Sequence, residues 1–177
     1  MLYIYTICFP VGLALFLPGL IYKLIKRPGY KKTFAERFGI FSSERIKTLS
    51  AMKKPVWIHS VSVGETVIAL SMLSKWMKLY PDRQFVISTT TTTGQELARS
   101  KAPAGVEVIF CPIDFLPFVM RTFSIVNPSA LVIFETEIWP CMVNYAALKG
   151  LGVFLVNGRM SDKSVKAIGR AAVRDRV

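Results

Sequence analysis

The feature that most limits the fold is a regular alternation, from residue 55 onward, of short apolar runs with longer amphipathic ones. Short apolar runs bounded by turn residues are typical of strands buried on both faces. Strands that alternate with helices form parallel sheets with right-handed crossovers. The sequence therefore predicts an α/β domain with a doubly wound parallel sheet of five strands: PVWIHS, QFVISTT, VEVIFCP, SALVIFE and GVFLVN.

The segments between these runs predict the helices. Residues 64–80 carry apolar side chains at helical spacing and end before Pro81. The segment TGQELARSK is expected to begin at an N-cap supplied by Thr92 or Thr93. The segment DFLPFVMRTFS follows, with Asp114 as its predicted N-cap. A further helix in IWPCMVNYAALKG and a basic closing helix complete the pattern.

The N-terminus is apolar enough to enter a membrane. Residues 2–22 contain no charged side chain, and about 20 apolar residues span a bilayer core of ~30 Å. Residues 1–22 are therefore predicted to form a membrane-anchoring helix. Pro10 and Pro18 would kink it, so an interfacial or half-inserted hairpin stays open as an alternative, as does a buried core helix.

Basic residues follow the apolar segment. The net charge is +12, and residues 1–54 hold ten Lys or Arg against two Glu. Basic residues beside an apolar stretch favour an anionic membrane surface over nucleic acid, and they place the following domain in the cytoplasm. We interpret residues 23–54 as a basic membrane-proximal connector with a short helix near Lys32–Phe38.

Missing features exclude several classes of protein. The three cysteines form no C-x-x-C pair and there is one histidine, so neither a disulfide framework nor a zinc or His-rich metal site is expected. The sequence contains no G-x-x-x-x-G-K-[ST], no G-x-S-x-G, and no G-x-G-x-x-G after the first strand. Dinucleotide-binding, P-loop and α/β-hydrolase readings are therefore disfavoured.

Candidate functional residues follow the strands, because ligands of open α/β sheets bind beyond the carboxyl ends. Glu65 opens a helix, whose N-terminus favours a carboxylate by ~0.3–1 kcal/mol; it either accepts a proton in catalysis or only complements the helix dipole. Glu135 and Glu137 leave an apolar strand, so they are functional or ion-paired, for example with Arg159. A histidine at a strand end, such as His59, more often makes a structural hydrogen bond than acts as a base.

Several segments together are more specific than any single residue. Behind an apolar N-terminus and the element AERFG, the chain contains, in order, WIHSVSVGE, TTTTTGQELA, CPIDFLPFVMRTF, FETEIWP and VNGRMSDKS. With these segments the chain resembles the N-terminal half of the 3-deoxy-D-manno-octulosonic acid (Kdo) transferases of Gram-negative bacteria. The resemblance covers essentially the whole chain.

The resemblance implies that residues 55–177 form the Rossmann-like, acceptor-binding half of a GT-B glycosyltransferase. Such enzymes transfer Kdo from CMP-Kdo to a lipid A precursor at the cytoplasmic face of the inner membrane. They invert the anomeric centre and need no metal or other cofactor. The donor domain, with a catalytic lysine, is expected outside this chain, so residues 1–177 alone are expected to be inactive.

Matching the motifs implies residue roles. Glu65, in S-V-G-E, is the implied general base, and Glu135, the first glutamate of E-T-E-I-W-P, assists the transition state. A non-catalytic, membrane-anchored acceptor-binding remnant is the main alternative. A flavodoxin-like nucleotide-binding regulatory domain is a third reading, which the missing phosphate loops disfavour. The substrate-binding candidates also follow predicted strands: Ser62 and Gly64 the first, Glu137 the fourth and Arg159 the fifth.

Overall fold

The computed structural model describes residues 35–135 and 138–157. The predicted anchor at residues 1–22, the first part of the connector and the predicted closing helix lie outside these residues. The described part contains one five-stranded sheet in which all neighbouring strands are parallel, in the order β3-β2-β1-β4-β5. The strands are β1 (Val56–Ser60), β2 (Phe85–Thr89), β3 (Glu107–Phe110), β4 (Ala130–Phe134) and β5 (Gly152–Val156). The predicted α/β class and parallel sheet are confirmed.

In the part of the chain that the structure describes, five α-helices and one 3-10 turn accompany the sheet. A helix joins each strand to the next, so every crossover is a β-α-β unit. The 3-10 turn spans Ala35–Phe38, and the helices are α1 (Ser43–Ser50), α2 (Val63–Leu79), α3 (Thr92–Lys101), α4 (Leu116–Val126) and α5 (Pro140–Leu148).

The sheet is buried on both faces, which explains why its strands are apolar without alternation. Trp57 packs into one core with residues of α4 and α5, including Phe123. Its neighbour Ile58 points the other way, into a second core with residues of α2 and α3, including Leu73 and Ala98. Helices therefore cover both faces of the sheet, as a doubly wound fold requires.

The starts of two helices correct the sequence prediction. Thr91, not Thr92 or Thr93, is the N-cap of α3, and its hydroxyl accepts a hydrogen bond from the Gly94 N–H. Asp114 does not cap its own helix, because α4 begins after Phe115 without a side-chain cap. The Asp114 carboxylate reaches instead to the first turn of α5, which lies next to α4 on the same face.

The described part of the segment interpreted as a connector packs against the sheet. The 3-10 turn falls within the predicted short helix, whereas α1 was not predicted from the sequence. Arg45 of α1 pairs with Glu107 of β3 and donates to the Val108 carbonyl at 2.7 Å. The Glu36 carboxylate accepts the Phe110 N–H at 3.0 Å. These contacts fix residues 35–50 along β3 at the edge of the sheet.

The membrane prediction falls on residues that the structure does not describe. Among residues 35–135 and 138–157, no helix combines the length and the apolar character needed to cross a bilayer.

Candidate active site

The loops that follow β1 and β4 form the candidate site at the carboxyl edge of the sheet. The two strands are neighbours, and His59 of β1 pairs with Ile133 of β4. Val61 and Glu135 each lie two residues beyond that pair. The Glu65 carboxylate binds the Val61 N–H at 2.7 Å. The structure therefore brings Glu65 and Glu135, the two predicted catalytic residues, to adjacent strand ends.

Glu65 belongs to a capping box at the start of α2. Ser62 is the N-cap, and its hydroxyl accepts the Glu65 N–H at 3.4 Å and donates to Glu65 Oε1 at 2.8 Å. The Ser62 N–H also donates to Oε1, at 3.3 Å. The box satisfies backbone donors that a helix start leaves without partners. Glu65 therefore has a structural role in addition to any chemical one.

The hydrogen bonds of Glu65 leave one acceptor position open. An ionised carboxylate has about four acceptor positions, two on each oxygen. Oε1 receives two bonds from Ser62, whereas Oε2 receives one from Val61. The side chain is buried, with the residue 6% exposed. A substrate hydroxyl that reaches Glu65 is therefore expected to meet Oε2.

The first turn of α2 is open beside Glu65. Gly64 is exposed, and a Cβ placed on it would meet only the Ser62 hydroxyl, at 3.9 Å. Glycine at this position keeps the approach to the helix start free of side-chain bulk. The hydroxyl of Ser62, the other predicted substrate-binding residue of this loop, donates its hydrogen to Glu65 Oε1.

Glu135 has an unusual backbone conformation. Its φ is +60°, in the left-handed region that non-glycine residues rarely adopt. Asn157 follows β5 with φ +56°, and the Glu135 N–H donates to the Val156 carbonyl just before it, at 2.9 Å. Strained residues of this kind cluster at functional sites. The half-buried Glu135 is thus fixed where the sequence predicted a functional carboxylate.

Two predicted substrate-binding residues, Glu137 and Arg159, lie outside the described residues. Their predicted roles, and the ion pair suggested between them, stay predictions.

His59 is fully buried and faces the same side of the sheet as Trp57. Its Nδ1 lies 2.9 Å from the Ser88 hydroxyl, which also accepts the Trp57 Nε1–H at 2.8 Å. Burial lowers the pKa of His59 to about 4, and an interaction with the Ser88 backbone opposes this only in part. The imidazole is therefore neutral at pH 7. His59 makes the structural hydrogen bond that its position predicted, although its Nε2 is buried without a partner.

The described residues offer no obvious metal centre. Within residues 35–135 and 138–157, His, Cys, Asp and Glu side chains do not gather in groups of three or more that would hold an ion.

Comparison with known proteins decides the family. A family model described as 3-Deoxy-D-manno-octulosonic-acid transferase (kdotransferase) matches residues 32–175. The chain belongs to this Kdo transferase family. The match includes the strand ends that hold Glu65 and Glu135.

Curated relatives are similar over the same region. The 3-deoxy-D-manno-octulosonic acid transferase of Rickettsia felis is 37% identical over 112 residues, which are 63% of this chain and 24% of the relative. The enzyme of the same name from Chlamydophila psittaci is 31% identical over 151 residues, covering 85% of this chain and 34% of the relative. That of Haemophilus influenzae is 29% identical over 147 residues, 82% of this chain and 33% of the relative. The chain thus spans about a quarter to a third of the relatives' length.

Sequence reasoning did not predict the capping box of Ser62 and Glu65 or the bonds from Asp114 to the start of α5. The spacing of Ser62 and Glu65 is the S-x-x-E signature of a capping box, so the local signal was present in S-V-G-E. The bond from Asp114 to the start of α5 had no such signal, because its partners are 27 and 28 residues away.

Proposed function

We propose that this chain is the acceptor-binding part of a Kdo transferase, with Glu65 as the general base. In this proposal Kdo passes from CMP-Kdo to a hydroxyl of a lipid A precursor. The observation that carries the proposal is the Glu65 carboxylate, oriented by three hydrogen bonds with one acceptor position left on Oε2, at an open helix start beside Glu135.

The reaction is an in-line displacement with inversion. The acceptor hydroxyl gives its proton to Glu65 Oε2 while its oxygen forms a bond to the ketosidic carbon of Kdo. The bond from that carbon to the CMP phosphate oxygen breaks, and CMP leaves with the electron pair. Positive charge that develops on the sugar ring is stabilised by the nearby Glu135 carboxylate.

The other site residues have binding roles in this proposal. Gly64 leaves room for the acceptor beside the helix start, and Ser62 holds the base. Glu137 and Arg159 bind substrate polar groups, with the guanidinium suited to a carboxylate or phosphate. CMP-Kdo is held mainly by the donor domain of the complete enzyme.

The cytoplasmic side of the inner membrane is the proposed location. The uncharged residues 2–22 and the basic residues that follow support this placement. This location puts the candidate site on the same side of the membrane as the lipid acceptor.

The test is Glu65→Gln in the full-length protein, assayed with CMP-Kdo and a lipid A precursor. Glutamine keeps the size and part of the hydrogen bonding but cannot accept the proton. Since general-base assistance contributes ~10²–10⁴-fold, kcat is expected to fall by about that factor while the KM for acceptor changes little.

A matched control is Glu44→Gln. Glu44 is an exposed acid in the first turn of α1, and so complements a helix dipole away from the site. It is expected to keep normal turnover. If Glu65→Gln retains more than about a third of wild-type turnover under conditions where chemistry limits the rate, Glu65 is not the base.

The alternative, a non-catalytic acceptor-binding remnant, makes a different prediction. In that case the full-length wild-type protein binds the lipid acceptor but forms no product with CMP-Kdo.

A further inference from the structure

The threonine run at residues 89–93 has no part in the function proposed above, yet one of its members is bonded to the loop that holds Glu65. Thr91 lies at the start of α3, directly after β2, and β2 is the neighbour of β1. The loops after the two strands therefore meet at the carboxyl edge of the sheet.

The Thr91 hydroxyl takes part in three hydrogen bonds, one of which it accepts from the exposed Thr93 hydroxyl at 3.5 Å. The oxygen accepts the Gly94 N–H at 3.1 Å, which caps α3. The hydroxyl hydrogen is donated to the Val61 carbonyl at 3.2 Å, and the Thr91 N–H approaches the same carbonyl at 3.4 Å. A hydroxyl can act as donor and acceptor at once, so one side chain caps α3 and also bonds to the loop that precedes α2.

The Val61 backbone is hydrogen-bonded both to Thr91 and to the Glu65 carboxylate. Its carbonyl accepts from Thr91, and its own N–H donates to Glu65 Oε2 at 2.7 Å. Oε2 is the oxygen with an acceptor position free. The Val61 backbone therefore links Thr91 to the atom that is proposed to take the proton.

We propose that Thr91 is a positioning residue for the base: its hydroxyl holds the Val61 backbone, and the Val61 N–H holds Glu65 Oε2 in line with the acceptor. The inference rests on the proposed function, because it presumes that Glu65 is the base. Thr91 is not hydrogen-bonded to Glu65, so its effect passes through Val61.

The close approach of Gly94 to the Thr91 hydroxyl supports the same inference. A Cβ at this position would lie 2.8 Å from the Thr91 hydroxyl oxygen, closer than such contacts occur, and 3.4 Å from the Thr66 hydroxyl. Any larger residue must therefore push the Thr91 hydroxyl away from its place. Glycine in a helix is normally unfavourable, so its presence here fits a need for close approach.

The test is a set of substitutions in the full-length protein, assayed with CMP-Kdo and a lipid A precursor. Thr91→Val keeps the shape and removes the hydroxyl, whereas Thr91→Ser keeps the hydroxyl. Because a small misplacement of a reacting group can cost up to ~10²-fold, Thr91→Val is expected to lower kcat by about 10-fold to 10²-fold with little change in KM. Thr91→Ser is expected to stay within about threefold of wild type. Gly94→Ala, which displaces the hydroxyl without removing it, is expected to lower kcat like Thr91→Val.

The control separates positioning from the loss of a helix cap. Ser42 caps α1 through its hydroxyl, which accepts the Arg45 N–H at 3.3 Å, away from the candidate site. Ser42→Ala removes a cap of the same kind and is expected to leave kcat unchanged.

A double-mutant cycle with Glu65→Gln decides whether Thr91 acts through the base. If it does, Thr91→Val lowers kcat by less than about threefold further in the Glu65→Gln background. Effects of the two substitutions that multiply would overturn the inference. So would normal turnover of Thr91→Val beside an impaired Glu65→Gln, and in that case the proposed function stands. Normal turnover of Glu65→Gln refutes the proposed base and the positioning role together.

Discussion

The start of α5 depends on one buried carboxylate, which allows a quantitative prediction. Pro140 occupies the first position of α5 and has no N–H, so the next two N–H groups, of Cys141 and Met142, need partners. Asp114 supplies both: Oδ2 accepts the first and Oδ1 the second, each at 2.9 Å. Asp114 is only 1% exposed, so water cannot replace it easily.

Replacing Asp114 by alanine removes the carboxylate acceptor of both buried N–H groups. An unsatisfied buried group costs roughly 1–3 kcal/mol, so Asp114→Ala is expected to lower the free energy of unfolding by about 3 kcal/mol. Asp114→Asn keeps one acceptor but turns its NH₂ toward the other N–H, and it loses a charge favoured at a helix start. It is therefore expected to cost about 2 kcal/mol.

Urea unfolding followed by tryptophan fluorescence measures this effect, with Trp139 as a reporter directly before α5. With a urea dependence of about 2 kcal/mol per M, Asp114→Ala should lower the midpoint by roughly 1.5 M. Asp82, an exposed residue in the turn after α2, is the control, and Asp82→Ala should leave the midpoint nearly unchanged. A shift below about 0.3 M for both Asp114 variants would refute the assignment of Asp114 as the cap of α5.

Two further predictions concern pH and the membrane. Burial lowers the pKa of His59 from 6.5 to about 4, so the unfolded chain binds a proton at a higher pH than the folded chain does. At 1.36 kcal/mol per pKa unit, the free energy of unfolding is expected to decrease by about 3 kcal/mol as the pH falls from 6.5 to 4. Unfolding midpoints at pH 7 and pH 4.5 should therefore differ less for His59→Asn than for wild type, and an equal difference would contradict this. Deleting residues 1–27 should move much of the protein from the membrane to the soluble fraction, and a wild-type protein that is already fully soluble at physiological salt would rule out the anchor.

The sheet could be predicted from sequence because its signal is local. Phe85–Thr89 is buried throughout, and a strand buried on both faces must be apolar along its whole length. The helix α1 could not be predicted in the same way. Only Leu49 of α1 is buried, and the helix is fixed by contacts of Arg45 with residues 62 and 63 positions away. Such a helix is stabilised by tertiary contacts rather than by its own pattern.

In the candidate site, too, the features with a local sequence signal could be predicted and those that depend on distant residues could not. The places of Glu65 and Glu135 could be predicted because strand ends of an open α/β sheet have a predictable place, whereas their catalytic roles stay predictions. The role of Asp114 was predicted wrongly because a local rule assigned it to the nearest helix, whereas its partners are on the next one. The shift of a helix cap to Thr91 is a difference of one residue, which depends on where β2 stops pairing.

The edge position of β3 gives the segment before the sheet a protective role. An outermost strand presents backbone donors and acceptors that invite pairing with another chain. Here the Glu36 carboxylate accepts the Phe110 N–H and the Arg45 guanidinium donates to the Val108 carbonyl. Two charged side chains therefore occupy the positions that a further strand would use. The segment that leads into the domain thus occupies the edge along which β3 would otherwise be open to pairing with another chain.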